Sequence, residues 1–127
     1  MFEPKQHQYR VLVVDDDTDL TAVMCDFLNG TGRFRAEHVG DGETALEAWQ
    51  NERYDLVIVD YAMPGMDGLQ LLSALQGSDG IPINAIMVSG ESVGELALRS
   101  GAAAFLAKPF TMSRLLVEIT TILGLNR

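Results

Sequence analysis

The chain carries one cysteine, Cys25, so no disulfide can form within it. That excludes the small secreted scaffolds that depend on such bridges. Positive charge is scarce: nine Lys and Arg stand against eighteen Asp and Glu, a net charge of −9. Nothing in such a domain would neutralise a phosphate backbone, so nucleic-acid backbone binding by it is disfavoured, and so is an anionic membrane surface for the same reason. No apolar run is long enough to span a bilayer, and residues 1–8 lack the apolar core of a secretory signal. Internal repeats, linkers and low-complexity tracts are missing too. A reducing, cytoplasmic setting is the expectation that follows. Cys25 falls in the apolar pattern of a helix and reads as a small buried hydrophobe rather than a reactive thiol.

What is present suits one ordinary domain. The length is 127 residues, and 47% of them are apolar, enough for a proper core. Four segments run apolar and then stop on a polar residue. Val11-Leu12-Val13-Val14 ends in Asp15-Asp16-Asp17, and Leu56-Val57-Ile58-Val59 ends in Asp60. Ala85-Ile86-Met87-Val88 ends in Ser89, and Ala103-Ala104-Phe105-Leu106-Ala107 ends in Lys108-Pro109. In a parallel sheet all four polar termini gather at one edge. At least three carboxylates, a hydroxyl and an ammonium would meet there. Crowded carboxylates repel unless a cation neutralises them, so the cluster calls for a hard divalent metal.

The spacing predicts an alternation of strands and helices. Residues 1–9 are polar and are expected to form a flexible extension before a domain at 10–127. The first strand is expected at 10–14. A helix with Leu20, Val23, Met24, Phe27 and Leu28 on one face follows, stopped by Asn29-Gly30-Thr31-Gly32. Residues 34–39 read as an edge strand with alternating charges. A helix bearing Ala45, Leu46 and Trp49 comes next, then a buried strand at 55–59. Asp67 is placed to cap a helix marked by Leu69, Leu72 and Leu75. A strand at 84–88, a short helix at 92–100 ended by Gly101, and a strand at 103–107 lead to a last helix starting near Thr111. Five βα units are too few for an eight-fold barrel. They imply an α/β fold with a five-stranded parallel sheet and helices on both faces, for which 2-1-3-4-5 is the usual open order. In that order the site lies beyond the carboxyl ends of strands 1 and 3.

These residues resemble the receiver domain of two-component response regulators. The resemblance rests on four motifs in order: Val-Val-Asp15-Asp16, Asp60-Tyr-Ala-Met-Pro-Gly-Met-Asp-Gly68, Met-Val-Ser89-Gly, and Phe105-Leu-Ala-Lys108-Pro109-Phe110. It implies a flavodoxin-like three-layer sandwich in which Asp60 accepts a phosphoryl group. Asp16 and Asp60 would ligate Mg²⁺ directly, Asp15 directly or through water, and the backbone carbonyl of Ala62 would complete the protein ligands. Lys108 would pair with the phosphoryl oxygens, and Ser89 would hydrogen-bond one of them. Lys108-Pro109 looks like the family's cis peptide. Ser89 and Phe105 would be the switch residues, and Ala62 and Glu91 would tune dephosphorylation. The implied donor is a histidine kinase or a histidine phosphotransfer protein. The implied recipient is a downstream effector or fused output domain, reached through the fourth helix, fifth strand and fifth helix, a face that could also form a homodimer. No turnover of an external substrate is expected. The chain departs from the family in three places. Ser89 replaces the commoner Thr, Phe105 stands where Tyr is frequent, which removes any switch through a ring hydroxyl, and Gly90 and Gly94 flank or enter the fourth helix and should loosen it.

Two other chemistries compete for the same residues. A haloacid-dehalogenase-type phosphatase would use Asp15 as nucleophile and Asp17 as acid/base. Its pattern wants Thr where Asp19 stands, and a late acidic motif where only Glu118 follows Lys108. A calcium loop would use Asp15, Asp17 and Asp19, but its sixth position is Leu20 rather than Gly and its twelfth is Asp26 rather than Glu. The plain alternative for Asp17 is helix capping.

Overall fold

The computed structural model describes residues 7–77 and 82–125. The elements are β1 (Tyr9–Val14), α1 (Thr18–Gly30), β2 (Phe34–Val39), α2 (Gly42–Asn51), β3 (Leu56–Asp60), α3 (Gly68–Gln76), β4 (Ala85–Ser89), α4 (Gly94–Arg99), β5 (Ala104–Ala107) and α5 (Met112–Ile122). The strands form a single parallel sheet in the order β2-β1-β3-β4-β5, as expected.

Alternation along the strands decides which helix lies on which face. Val11, Val13, Ile58, Ile86 and Val88 point to one side, where Met24 and Leu28 of α1 and Leu115 and Ile119 of α5 cover them. Leu12, Val14, Val57, Val59 and Met87 point to the other, under Ala45 of α2, Leu71, Leu72 and Leu75 of α3, and Ala97 of α4. With helices on both faces, β3 and β4 are buried along their whole length, which is why they read as unbroken apolar runs.

The helix starts follow local chemistry. The side chains of Asp17, Asp41, Asp67 and Thr111 accept hydrogen bonds from the amides of Leu20, Thr44, Gln70 and Arg114. Only α4, among the described helices, has a cap residue, Val93, with no such side-chain bond. It is also the shortest, six residues against the nine read from sequence, because Gly94 and the uncapped turn before it delay its start. Several other bounds move by one residue. Tyr9 belongs to β1, where its amide donates to the Arg33 carbonyl, so the ordered chain reaches into the segment expected to be an extension. Gly30 stays helical, and the chain turns out of α1 at Thr31 and Gly32, which has φ +77°. Asp60 and Ser89 are the last residues of their strands rather than the first of the loops. Cys25 is buried as expected, and burial pushes its thiol up to about 11. No helix among the described residues is long and apolar enough to cross a membrane.

Ile58 is 1% exposed at the middle of the central strand, whereas Val23 on α1 is 54% exposed. Urea unfolding of Ile58→Ala is expected to show a loss of about 2–5 kcal/mol. Val23→Ala is expected to stay within about 0.5 kcal/mol of the wild type.

Candidate functional site

Four strand ends build the site. Asp15 follows β1, Asp60 closes β3, Ser89 closes β4 and Lys108 follows β5. Because all four strands are parallel, these residues meet at the carboxyl edge of the sheet. Asp15, Asp60 and Ser89 are 2%, 5% and 2% exposed. The Lys108 ammonium lies between the two buried carboxylates, 3.1 Å from Asp15 Oδ2 and 3.1 Å from Asp60 Oδ1. Asp15 Oδ1 accepts from the Asp17 amide at 2.9 Å, so both its oxygens are engaged. The Ser89 hydroxyl oxygen accepts from the Glu91 amide at 2.9 Å. That bond leaves its own hydrogen free to donate. The Lys108–Pro109 peptide is cis, as the sequence suggested.

One ammonium cannot satisfy three carboxylates. Burial lifts the Asp60 carboxyl above its ordinary range; the contact with Lys108 opposes the shift, and the charges of Asp15 and Asp16 add to it. Burial would lower the Lys108 ammonium, but its bonds to Asp60 and Asp15 outweigh that and hold it above its ordinary range. Asp16 is exposed. Oxygen atoms of Asp15, Asp16 and Asp60 nevertheless lie within 4.8 Å of one another, a group that could hold a metal ion. An all-oxygen donor set of excess negative charge fits a hard divalent cation such as Mg²⁺.

The rival chemistries lose their residues in this geometry. Asp17, the acid/base of the phosphatase reading, is committed as the cap of α1. The twelve positions that a calcium loop would need run into helix from Thr18 onward.

A model of the family described as "Response regulator receiver domain" matches residues 11–120. The chain belongs to that family. The receiver is similar to the "DNA-binding response regulator MtrA" of Mycobacterium tuberculosis, at 36% identity over 118 residues, covering 92% of this chain and 51% of that protein. The chain thus spans about half the length of the curated relatives it matches. Among solved structures, the receiver domain of the Francisella response regulator 1452 superposes with a TM-score of 0.85 at 26% identity, covering 92% of this chain and 98% of that one. The Vibrio cholerae chemotaxis protein CheY4 superposes with a TM-score of 0.83 at 28% identity, covering 91% and 98%. The family is one of two-component signalling, and the phosphatase reading finds no support in it.

Two contributors to the receiver's site were not read from its sequence. The Asp17 amide is one: the residue was assigned only a side-chain capping role. Gly68 is the other. A Cβ there would lie 2.6 Å from the Asp60 carbonyl oxygen and 2.8 Å from Tyr61 Cα. Its absence lets α3 start against the backbone of Asp60, where the Gly68 amide donates to the Tyr61 carbonyl at 2.8 Å. The glycine was visible in the motif, but only the folded chain brings it against the strand end. Ala62 and Glu91 are both exposed beside the site, and Phe105 is half-buried on β5.

Charge crowding makes opposite predictions for two substitutions in metal-free protein. Lys108→Ala strips the buried carboxylates of their counter-charge and should destabilise. Because the ammonium is partly exposed, the loss should fall below the roughly 3–5 kcal/mol of a fully buried pair. Asp60→Asn should stabilise. A carboxyl raised on folding contributes stability that is present below its unfolded value near 3.8 and is lost as pH rises through the folded value. Denaturant midpoints taken from pH 4 upward should therefore fall in the wild type by an amount that Asp60→Asn removes.

Proposed function

We propose that this receiver accepts a phosphoryl group on Asp60 from a histidine kinase or a histidine phosphotransfer protein, and that the modified domain switches an output surface. The observation that carries the reading is the pair of buried carboxylates, Asp15 and Asp60, bridged by Lys108 beside the Ser89 hydroxyl. In the transfer, a carboxylate oxygen of Asp60 bonds to phosphorus as the bond to the donor nitrogen breaks. Carboxylates are weak nucleophiles, so the step depends on alignment and on neutralising charge. Burial at a strand end fixes the direction of the Asp60 carboxylate. Lys108 moves its attraction from that carboxylate to the new phosphoryl oxygens, and Ser89 donates its hydrogen to one of them. Asp15, Asp16, Asp60 and the Ala62 carbonyl would hold Mg²⁺, which supplies further positive charge against the phosphoryl oxygens. No external substrate is turned over.

The output face in this reading is α4, β5 and α5. α4 and α5 each carry exposed apolar side chains, Leu96 and Leu98 on different sides of α4 and Val117 on α5, and the partner on this face would be an effector, a fused output domain or a second copy of the chain. The curated relative named above is called DNA-binding, but the acidic domain here would act on nucleic acid only through another domain or partner. A cytoplasmic setting accords with the single buried thiol. Ala62 and Glu91 flank the path by which water would reach the acyl phosphate.

Intact-mass measurement after incubation with acetyl phosphate and Mg²⁺ should show one added phosphoryl group in wild type and none in Asp60→Asn. A label that persists in Asp60→Asn defeats the reading. After removal of the donor, Ala62→Met should slow the decay of the phosphorylated form by obstructing water. A tenfold change needs only about 1.4 kcal/mol of barrier. Wild-type decay in both Ala62→Met and Glu91→Ala would remove these positions from the account.

A further inference from the structure

The ring of Phe105 sits where residue 94 has no side chain. A Cβ built on Gly94 would lie 3.0 Å from Phe105 Cδ2 and 3.4 Å from Cε2 and Cγ. Such a distance is tighter than ordinary van der Waals contact, so a methyl at position 94 would press on the ring. Gly94 is the first residue of α4, the weakest of the described helices: six residues, no side-chain cap and only Ala97 buried. The turn that delivers Gly94 is itself tied to the site. The Glu91 amide donates to the Ser89 hydroxyl oxygen, and the Val93 amide donates to the Glu91 carbonyl, both at 2.9 Å. From the other side, the Lys108 amide, just after β5, donates to the Ser89 carbonyl at 2.8 Å, and Phe105 lies three residues earlier, on β5 itself. Ser89, its turn, Gly94 and Phe105 therefore form one closed circuit of contacts.

We propose that Gly94 is a positioning residue for Phe105. Its bare Cα seats the ring against the first turn of α4 in the unphosphorylated domain, and one methyl there unseats the ring and biases Ser89 and its turn toward their phosphorylated arrangement. The inference rests on the phosphoacceptor reading of Asp60, since it names a device that sets the resting state of that site. Coupling between two positions is reciprocal. If movement of Ser89 toward a phosphoryl group unseats the ring, unseating the ring must favour the moved Ser89.

The test is a cycle of full-length Gly94→Ala, Phe105→Ala and the double variant, read by NMR without a phosphodonor. Wild type with acetyl phosphate and Mg²⁺ supplies the reference shifts. Gly94→Ala alone should move the Phe105 ring signals and the Ser89, Glu91 and Val93 amides toward the reference. It should also raise the rate of labelling by acetyl phosphate several-fold, because a larger share of the molecules is already competent. In the Phe105→Ala background the same methyl should leave Ser89 and Glu91 where they were. Should Gly94→Ala fail to fold, Phe105→Leu in that background should restore folding, since a smaller side chain clears the methyl. Unmoved Phe105 and Ser89 signals in Gly94→Ala overturn the proposal. So do equal shifts in the Phe105→Ala background, which would trace to the better helix propensity of alanine, and so does a folding defect that Phe105→Leu does not rescue. Failure of the parent reading looks different: wild type itself would gain no label and show no shift with acetyl phosphate. The comparison of Gly94→Ala with the double variant would then still decide whether the methyl reaches Ser89 through the ring.

Discussion

One ammonium between two buried carboxylates governs this domain. Lys108 stands 3.1 Å from both Asp15 and Asp60, and Asp16 adds a third negative charge at the same edge. The arrangement is deficient in positive charge by construction. Burial strengthens every interaction in it, attraction and repulsion alike. A site so balanced responds to any added cation, and under the proposed function it would respond again when a phosphoryl group on Asp60 takes over the lysine's attraction.

The fold creates that imbalance with ordinary means. Parallel strands covered on both faces must be apolar along their length, so polar residues are expelled to the ends. Parallel direction then brings the expelled ends together. The close start of α3 at Gly68 and the Asp17 amide at Asp15 Oδ1 fix the two carboxylates where solvent cannot relax them. Among the described helices α4 is held least firmly, being short and without a side-chain cap.

Much of this was legible in the chain itself. The strands and the meeting of Asp15, Asp60, Ser89 and Lys108 at one edge follow from period and direction, properties that a sequence carries locally, whereas the sheet order was expected only as the usual one for such a sheet. The extent of α4 was not legible, because no capping residue marks its start and Gly94 blurs its pattern. Nor was the division between Asp15, buried, and Asp16, exposed: neighbouring carboxylates differ only by which way the strand end turns. The cluster in which Arg10 contacts Glu37 and Glu52 while Tyr54 donates to Glu37 was likewise invisible, since its members are brought together by the sheet and not by spacing. Gly68 and Gly94 were seen as glycines, but what each makes room for lies in another element.

The central claim is that unneutralised charge at the sheet edge holds the domain below its attainable stability. Its most direct test is the thermal midpoint of the wild type with saturating Mg²⁺, against a monovalent salt of equal ionic strength. The account predicts a higher midpoint with Mg²⁺, since a cation bound only by the folded site adds to its stability. Equal midpoints in the two salts would contradict it.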